Sequence, residues 1–309
     1  MRIVVHGQQA FGKAVLDALL KRGDNVIAVY VAPEKPGQKP DPLKEAAVAA
    51  GLQVFQPASY KTPEVLEQFR ALKPDLQVMA FVTLFVPEDF LNIPTHGSIQ
   101  YHPSLLPLHR GASSINWPII LGAKETGLSI FWPDNGLDTG PILMQKKTPI
   151  SDTDTLGSVY FDRLFPMGVE AMLESVDLVK AGKAPRIAQD ERHATYEGKC
   201  GGENARIDWG KSWRQIDPLI RGCNPAPGAW TTLDGKTLQI FDAKPVPATH
   251  PKGIGGKLGE IVEAGDAGFT VVCADGRFQV TRVKPADGGK VAAGEFVKSA
   301  GVAVGTRLV

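Results

Sequence analysis

Apolar positions along this chain come in short runs separated by polar turns. Ile3–Val5 is such a run, and helix-spaced apolar residues follow it to about Arg22, where Gly23 gives a stop signal. Asn25–Val31 is a second strand-like run, and strand, helix, strand in that succession opens a doubly wound parallel sheet. Ala32–Pro42, rich in Pro, Gly and Lys, reads as a loop. Leu43–Ala50 predicts a helix, Leu52–Phe55 a short strand, Pro63–Leu72 a helix and Leu76–Phe81 a strand. Two further runs, Ser98–Tyr101 and Leu128–Trp132, each lead into a loop dense in Pro, Gly, His and Asp, with a helix expected around Ile115–Leu121 between them. Pro141–Ile150 reads as an edge strand, and Thr155–Ala181 as one long helix bending near Pro166.

The pattern changes after Ala181. Gly182–Gly202 is polar and linker-like, and from Asn204 onward short strands alternate with Gly, Asp and Pro turns: Thr237–Phe241, Leu258–Val262, Phe269–Val272 and Phe278–Val283. That spacing points to a small β-barrel or sandwich. The expected organisation is a first domain over residues 1–182, a linker over 183–203 and a β-rich domain over 204–309.

Composition narrows the partners. A net charge of +1 leaves no whole-chain field that would favour nucleic acid, a membrane or an acidic partner. The three cysteines, Cys200, Cys223 and Cys273, are scattered and lack C-x-x-C spacing, which argues against a disulfide framework or a zinc knuckle and for a reducing compartment. The N-terminus starts directly on a strand-like run without a signal-peptide pattern, and no apolar run has membrane-spanning length, so a cytoplasmic location is expected.

Several motifs are excluded. Gly7 to Gly12-Lys13-Ala14 nearly matches the phosphate-cradling loop G-x-x-x-x-G-K-[ST], but Ala14 lacks the hydroxyl that would ligate magnesium. The dinucleotide fingerprint G-x-G-x-x-G is missing from the same turn, which argues against NAD. His6, inside a buried-looking strand, reads as a satisfied core histidine, and His96 and His250 as solvated loop residues. No spacing resembles a metal-ligand set, so the chemistry is expected to be metal-free.

The informative stretches are Gly97–Ser113 and Gly127–Gly140. Chemistry in α/β proteins sits where strands end in loops, because the sheet fixes the groups and the loops present them. His102 closes one strand and Pro103 stiffens its turn; held there, its imidazole can donate a proton or orient a reacting group, or can simply bond loop carbonyls. Asp138 lies in Gly136-Leu-Asp-Thr-Gly140, where glycines permit unusual dihedrals; its alternatives are chemistry and turn stabilisation. Arg110 can bind a carboxylate or fasten the loop. His102 and Asp138 are expected to meet.

These residues carry a resemblance. His102-Pro-Ser-Leu-Leu-Pro-Leu-His-Arg-Gly-Ala-Ser113 followed by Gly136-Leu-Asp-Thr-Gly140 resembles the formyltetrahydrofolate-dependent formyltransferase superfamily. Its pattern is an Asn, a His two residues later and a downstream Asp. His102 and Asp138 match; the Asn position is Gln100, a departure. The hydrolase branch, found in 10-formyltetrahydrofolate dehydrogenases, also lacks that Asn. Asp41-Pro-Leu43, Ala112–Trp117, Ile130–Asp134, Ala194–Gly198 and Pro227–Trp230 are similar to the same branch, so that the resemblance spans essentially the whole chain.

The resemblance implies a Rossmann-like, doubly wound, mostly parallel α/β sheet with a smaller, OB-like C-terminal β-barrel, and 10-formyltetrahydrofolate as formyl donor. It implies a pterin inserted between Leu84-Phe85-Val86 and the 134–140 loop, with Ser104, Arg110, Asp134, Gly136, Leu137 and Gly140 as further substrate-binding positions. His102, Asp138 and Gln100 are the implied reacting set. Hydrolysis to tetrahydrofolate and formate is the leading expectation. The alternatives are transfer to an amine such as methionyl-tRNA or an amino sugar, and folate binding without catalysis. A tRNA partner is disfavoured: Ala32–Pro42 is short where tRNA enzymes carry a basic insertion, and only 14 Lys and Arg face 10 Asp and Glu from Asn204 onward. With the sequence running to Val309, no carrier or aldehyde dehydrogenase domain is expected.

Overall fold

The computed structural model describes residues 1–247 and 255–309; His250 lies outside the described residues. The first half alternates strands and helices: β1 (Arg2–Gly7), α1 (Gln9–Lys21), β2 (Asn25–Val31), α2 (Pro42–Ala49), β3 (Gln53–Phe55), α3 (Pro63–Ala71), β4 (Leu76–Ala80), α4 (Glu88–Leu91), β5 (Ser98–His102), α5 (Asn116–Ile120), β6 (Glu125–Phe131), β7 (Ile142–Pro149), α6 (Leu156–Val159) and α7 (Phe165–Lys180). Seven strands form one sheet in the order β3-β2-β1-β4-β5-β6-β7. β1 runs parallel to β2 and β4, β2 to β3 and β4 to β5, whereas β6 is antiparallel to β5. The order reverses between β1 and β4, the switch point at which open α/β sheets leave a crevice.

Local chemistry explains the helix starts. Asp41 accepts from the Leu43 N–H at 2.9 Å as N-cap of α2, with Pro42 at the first helical position, and the same carboxylate accepts the Gln9 N–H. Thr62 and Pro63 repeat the signature on α3. Gly7 is required at the end of β1: a Cβ there would stand 2.1 Å from the Ala80 carbonyl oxygen on β4. Under the sheet an aromatic cluster packs Tyr30, Tyr60, Phe69 and Phe90, the last two stacked at 4.1 Å. His6 is indeed a satisfied core histidine. It is buried and bonded to the Gln77 amide at 2.7 Å, and burial pushes its pKa down from 6.5 to about 3.

The long helix expected over 155–181 is present as continuous helical backbone over 156–180. A π-helical turn, Tyr160–Leu164, lies between α6 and α7 just ahead of Pro166, at the place where a proline interrupts the regular ladder.

The second half contains α8 (Trp213–Gly222), β8 (Ala229–Leu233), β9 (Lys236–Pro247), β10 (Ile261–Gly265), β11 (Gly268–Cys273), β12 (Gly276–Pro285), β13 (Val291–Ala292) and α9 (Ala293–Ala300). Its sheet runs β10-β11-β12-β9-β8, with β13 beside β12 and antiparallel pairing throughout. Residues 305–309 then bond to both ends of that sheet. Val309 exchanges both backbone bonds with Thr232, beside β8; Ile261 on β10 bonds Gly305 and Thr306, and Gly259 just before it accepts from Leu308. The two edges are thereby stapled, the device by which small barrels remove unpaired backbone. The strand expected at Leu258–Val262 starts later, at Ile261, because Gly259 takes φ 77° and lies against the Leu308 carbonyl. α8, β8, β13 and α9 were not expected from the pattern.

Packing divides the chain into two compact units that are not contiguous in sequence. One comprises 1–114, 126–148 and 161–196; the other 115–125, 149–160 and 197–309. These units do not follow cuts at 182 and 203. Residues 115–125 join the second unit because α5 packs on α8, with buried Asn116 donating to the Gly222 and Ala226 carbonyls at 2.8 and 3.0 Å. Residues 183–196 stay with the first: Ile187 pairs with Ile142, and Thr195 bonds the Pro107 and Arg110 backbones. In the second unit the thiol sulfurs of Cys200 and Cys223, 23 positions apart in sequence, lie 4.0 Å apart.

Candidate active site

The site assembles where β5 ends. Gln100 and His102 are two residues apart on that strand and so share a sheet face. Gln100 is half-buried, and its side chain makes no hydrogen bond among the described residues. His102 is buried; its Nε2 donates to the His109 carbonyl at 2.9 Å, since a carbonyl can only accept. That bond places the neutral ring's lone pair on Nδ1, which faces Asp138 Oδ2 at 3.5 Å. With Nε2 engaged by the His109 carbonyl, Nδ1 is the ring nitrogen left facing the Asp138 carboxylate.

Asp138 is 8% exposed and held at φ 56°, in the left-handed region. Its Oδ2 accepts the Gly111 N–H at 2.7 Å. The loop around it is closely folded. Asp134 accepts from Thr139 Oγ1 at 2.6 Å and from the Gly136 N–H at 3.0 Å. A Cβ at Gly136 would collide with Thr139, and one at Gly140 with the Trp132 carbonyl. Asn135 ties this loop to the 84–88 segment, accepting the Glu88 N–H and donating to its carboxylate. The two segments expected to enclose a planar ligand are therefore joined.

The expected apolar trio divides. Val86 is buried in the core and Leu84 packs against it, whereas Phe85 is 55% exposed with the Lys61 ammonium 4.9 Å over its ring. Leu137 and Tyr196 are exposed, and both stand where a side chain at Gly111 would have to go. Leu137 and Tyr196 thus present exposed apolar side chains beside Gly111, whose N–H binds Asp138.

Ser104 and Arg110 serve the loop. Ser104 Oγ donates to the Leu108 carbonyl at 2.6 Å. The Arg110 guanidinium binds the Gln189 amide oxygen through Nε and Nη2 and the Glu191 carboxylate through both Nη atoms, the loop-fastening alternative of its two readings. Glu191 beside it pushes the Arg110 pKa up, and Arg110 holds the Glu191 carboxyl below its usual range. Gln189, Glu191, Thr195 and the His109 carbonyl are contacts that sequence reasoning missed. All but His109 lie in the stretch read as a linker, where nothing local marks them out. Among the described residues, no cluster of three or more His, Cys, Asp or Glu could hold a metal ion, and no helix is long and apolar enough to cross a membrane.

The structure thus brings a buried His–Asp pair together at the end of β5, a strand parallel to β4 in a doubly wound fold. Comparison with known proteins is more specific. Residues 1–176 match the Formyl transferase model, and residues 199–301 match the Formyl transferase, C-terminal domain, model. The chain is 43% identical over 258 residues to mitochondrial 10-formyltetrahydrofolate dehydrogenase of Homo sapiens, covering 82% of this chain and 28% of that one. It is 38% identical over 313 residues to methionyl-tRNA formyltransferase of Geotalea uraniireducens (strain Rf4), covering 100% and 98%. Among solved structures, HypX from Aquifex aeolicus in complex with tetrahydrofolic acid superimposes with a TM-score of 0.69 at 18% identity over 96% of this chain and 47% of its own, a likeness of fold. The chain belongs to the formyl transferase family. It spans about a third or less of the length of the dehydrogenases it matches.

Proposed function

We propose that this chain binds 10-formyltetrahydrofolate and cleaves its formyl group, releasing tetrahydrofolate and formate. The observation that carries the reading is the His102–Asp138 contact of 3.5 Å under the joined 84–88 and 134–140 segments. The pterin lies between those segments, its flat faces against apolar side chains and its polar edge against backbone groups. Asp138 orients a water and accepts its proton as the oxygen attacks the formyl carbon. His102, with the unengaged Gln100 amide two residues before it, faces the oxygen on which charge develops. The proton taken by Asp138 passes to His102 Nδ1 and from there to the folate nitrogen as the carbon–nitrogen bond breaks.

Gln100 supports hydrolysis over transfer. It stands where amine-formylating members carry Asn, a departure shared with the hydrolase branch, and its longer side chain presents the amide from a different position. Transfer to an amine is the second reading, favoured by the match along 98% of a methionyl-tRNA formyltransferase. Purified protein with 10-formyltetrahydrofolate alone separates the two. Formate and tetrahydrofolate released by wild type but not by Asp138→Ala support hydrolysis. Turnover only with an added amine acceptor would move the assignment to transfer, and tight binding without turnover in either assay would leave a folate-binding protein.

A further inference from the structure

The left-handed turn at Asp138 needs a restraint, and the structure provides one outside the reacting set. The Gln189 side-chain amide donates from Nε2 to the Asp138 carbonyl at 2.8 Å and to the Gly140 carbonyl at 2.7 Å. Its Oε1 accepts from Arg110 Nε at 3.2 Å and Nη2 at 2.8 Å. Both donors and both lone pairs are thus in use, and flipping the amide would set oxygen against two carbonyls and NH2 against a guanidinium. Glu191 completes the assembly by gripping Arg110 at 2.9 and 2.6 Å.

These contacts close a ring. Arg110 is followed by Gly111, whose N–H binds Asp138 Oδ2 at 2.7 Å. One dipeptide therefore holds Asp138 at both ends: the carboxylate directly, and the main chain through Gln189. Gln189 itself is half-buried and none of its hydrogen bonds goes to His102. We propose that Gln189 is a positioning residue: oriented by the Arg110–Glu191 fork, it locks the Asp138–Gly140 turn and so fixes the carboxylate opposite His102 Nδ1. The role rests on the formyl-cleaving reading of this site.

Gln189→Glu separates this role from simple support. The introduced carboxylate still accepts from Arg110, keeping the loop fastened, but has no proton to donate to the two carbonyls. Gln189→Leu removes both halves. Each full-length protein is assayed for kcat and KM with 10-formyltetrahydrofolate, for melting temperature, and for the 15N resonances of His102. For Gln189→Glu the expected result is a kcat lower by about 10- to 100-fold, the loss that a misplacement of about 1 Å produces. Its KM and melting temperature should stay close to wild type, and the His102 resonances should move. A wild-type kcat with unmoved resonances overturns the proposal. So does a kcat loss that merely tracks the fall in melting temperature across the two variants. If wild type itself fails to turn over the formyl donor, the functional reading fails alone, and the His102 resonances then decide the positioning role.

Discussion

The two units differ in where they place backbone strain. Among the described residues, seven non-glycine residues have positive φ, and six of them (Gln9, Lys73, Phe81, His109, Ser113 and Asp138) are in the unit built on the parallel sheet. Phe81 follows β4, His109 and Ser113 lie in the loop after β5, and Asp138 faces His102. The antiparallel unit has one, Asp234, which with Gly235 at φ 76° forms the two-residue turn joining β8 to β9. That turn type demands positive φ at both positions, so its strain is architectural. Three of the six in the first unit, His109, Ser113 and Asp138, lie in the two loops that carry His102 and its partner. Left-handed non-glycine residues persist only where surroundings over-determine them, and around Asp138 the surroundings are the Gly111 N–H and Gln189.

The largest effect should separate two chemically identical substitutions. Asp138→Asn keeps a residue that tolerates the left-handed region but removes the proton acceptor. Formyl cleavage should fall by about 10²- to 10⁴-fold while melting temperature holds. Asp234→Asn, in the turn, should leave both unchanged. A comparable activity loss in the second variant would erase the distinction between the units.

An intermediate effect concerns pH. His6 has a folded-state pKa of about 3 against 6.5, so the unfolded chain takes up the proton first as pH falls. Its contribution is intact above pH 6.5 and is lost progressively towards pH 3, by roughly 1.4 kcal/mol per unit. In His6→Gln, whose amide can still accept from Gln77, denaturant midpoints should decline less steeply between pH 6.5 and 4. An unchanged slope would mean other groups govern the acid limb.

In the antiparallel unit, Asn116→Ala strips the donor from the Gly222 and Ala226 carbonyls and should cost about 1–3 kcal/mol in urea melts. The smallest effect is expected beside Gly111. Leu137→Ser removes an exposed apolar face and should raise KM for the folate by about fivefold, roughly 1 kcal/mol, with kcat unchanged. A drop in kcat instead would place Leu137 against the reacting atoms.

Much of the first unit was legible because its signals are local. Alternating apolar runs gave the strands, Asp41-Pro42 and Thr62-Pro63 mark helix starts, and the Gly-bounded loop flagged Asp138. What escaped was long-range. Gln189 and Glu191 look like ordinary polar residues, and only the return of 187–196 to β7 and the 107–110 loop gives them work. The π-turn before Pro166 and the transfer of 115–125 to the second unit likewise depend on packing that no local window contains. α8, with Pro218 inside it, starts at the capping box of Ser212 and Gln215, a local signal in a stretch otherwise read only for its strands.

The interleaved partition has a consequence for synthesis. The first unit has all its residues once position 196 has emerged from the ribosome. Residues 115–125 and 149–160, made earlier, have their packing partners in a unit whose sheet is stapled only by residues 305–309. At about 5–20 residues per second, α5 waits on the order of ten seconds for the chain that covers it. During that interval the nascent protein shows Trp117 and Ile120, which pack against the second unit's core, to whatever chaperone attends the exit tunnel.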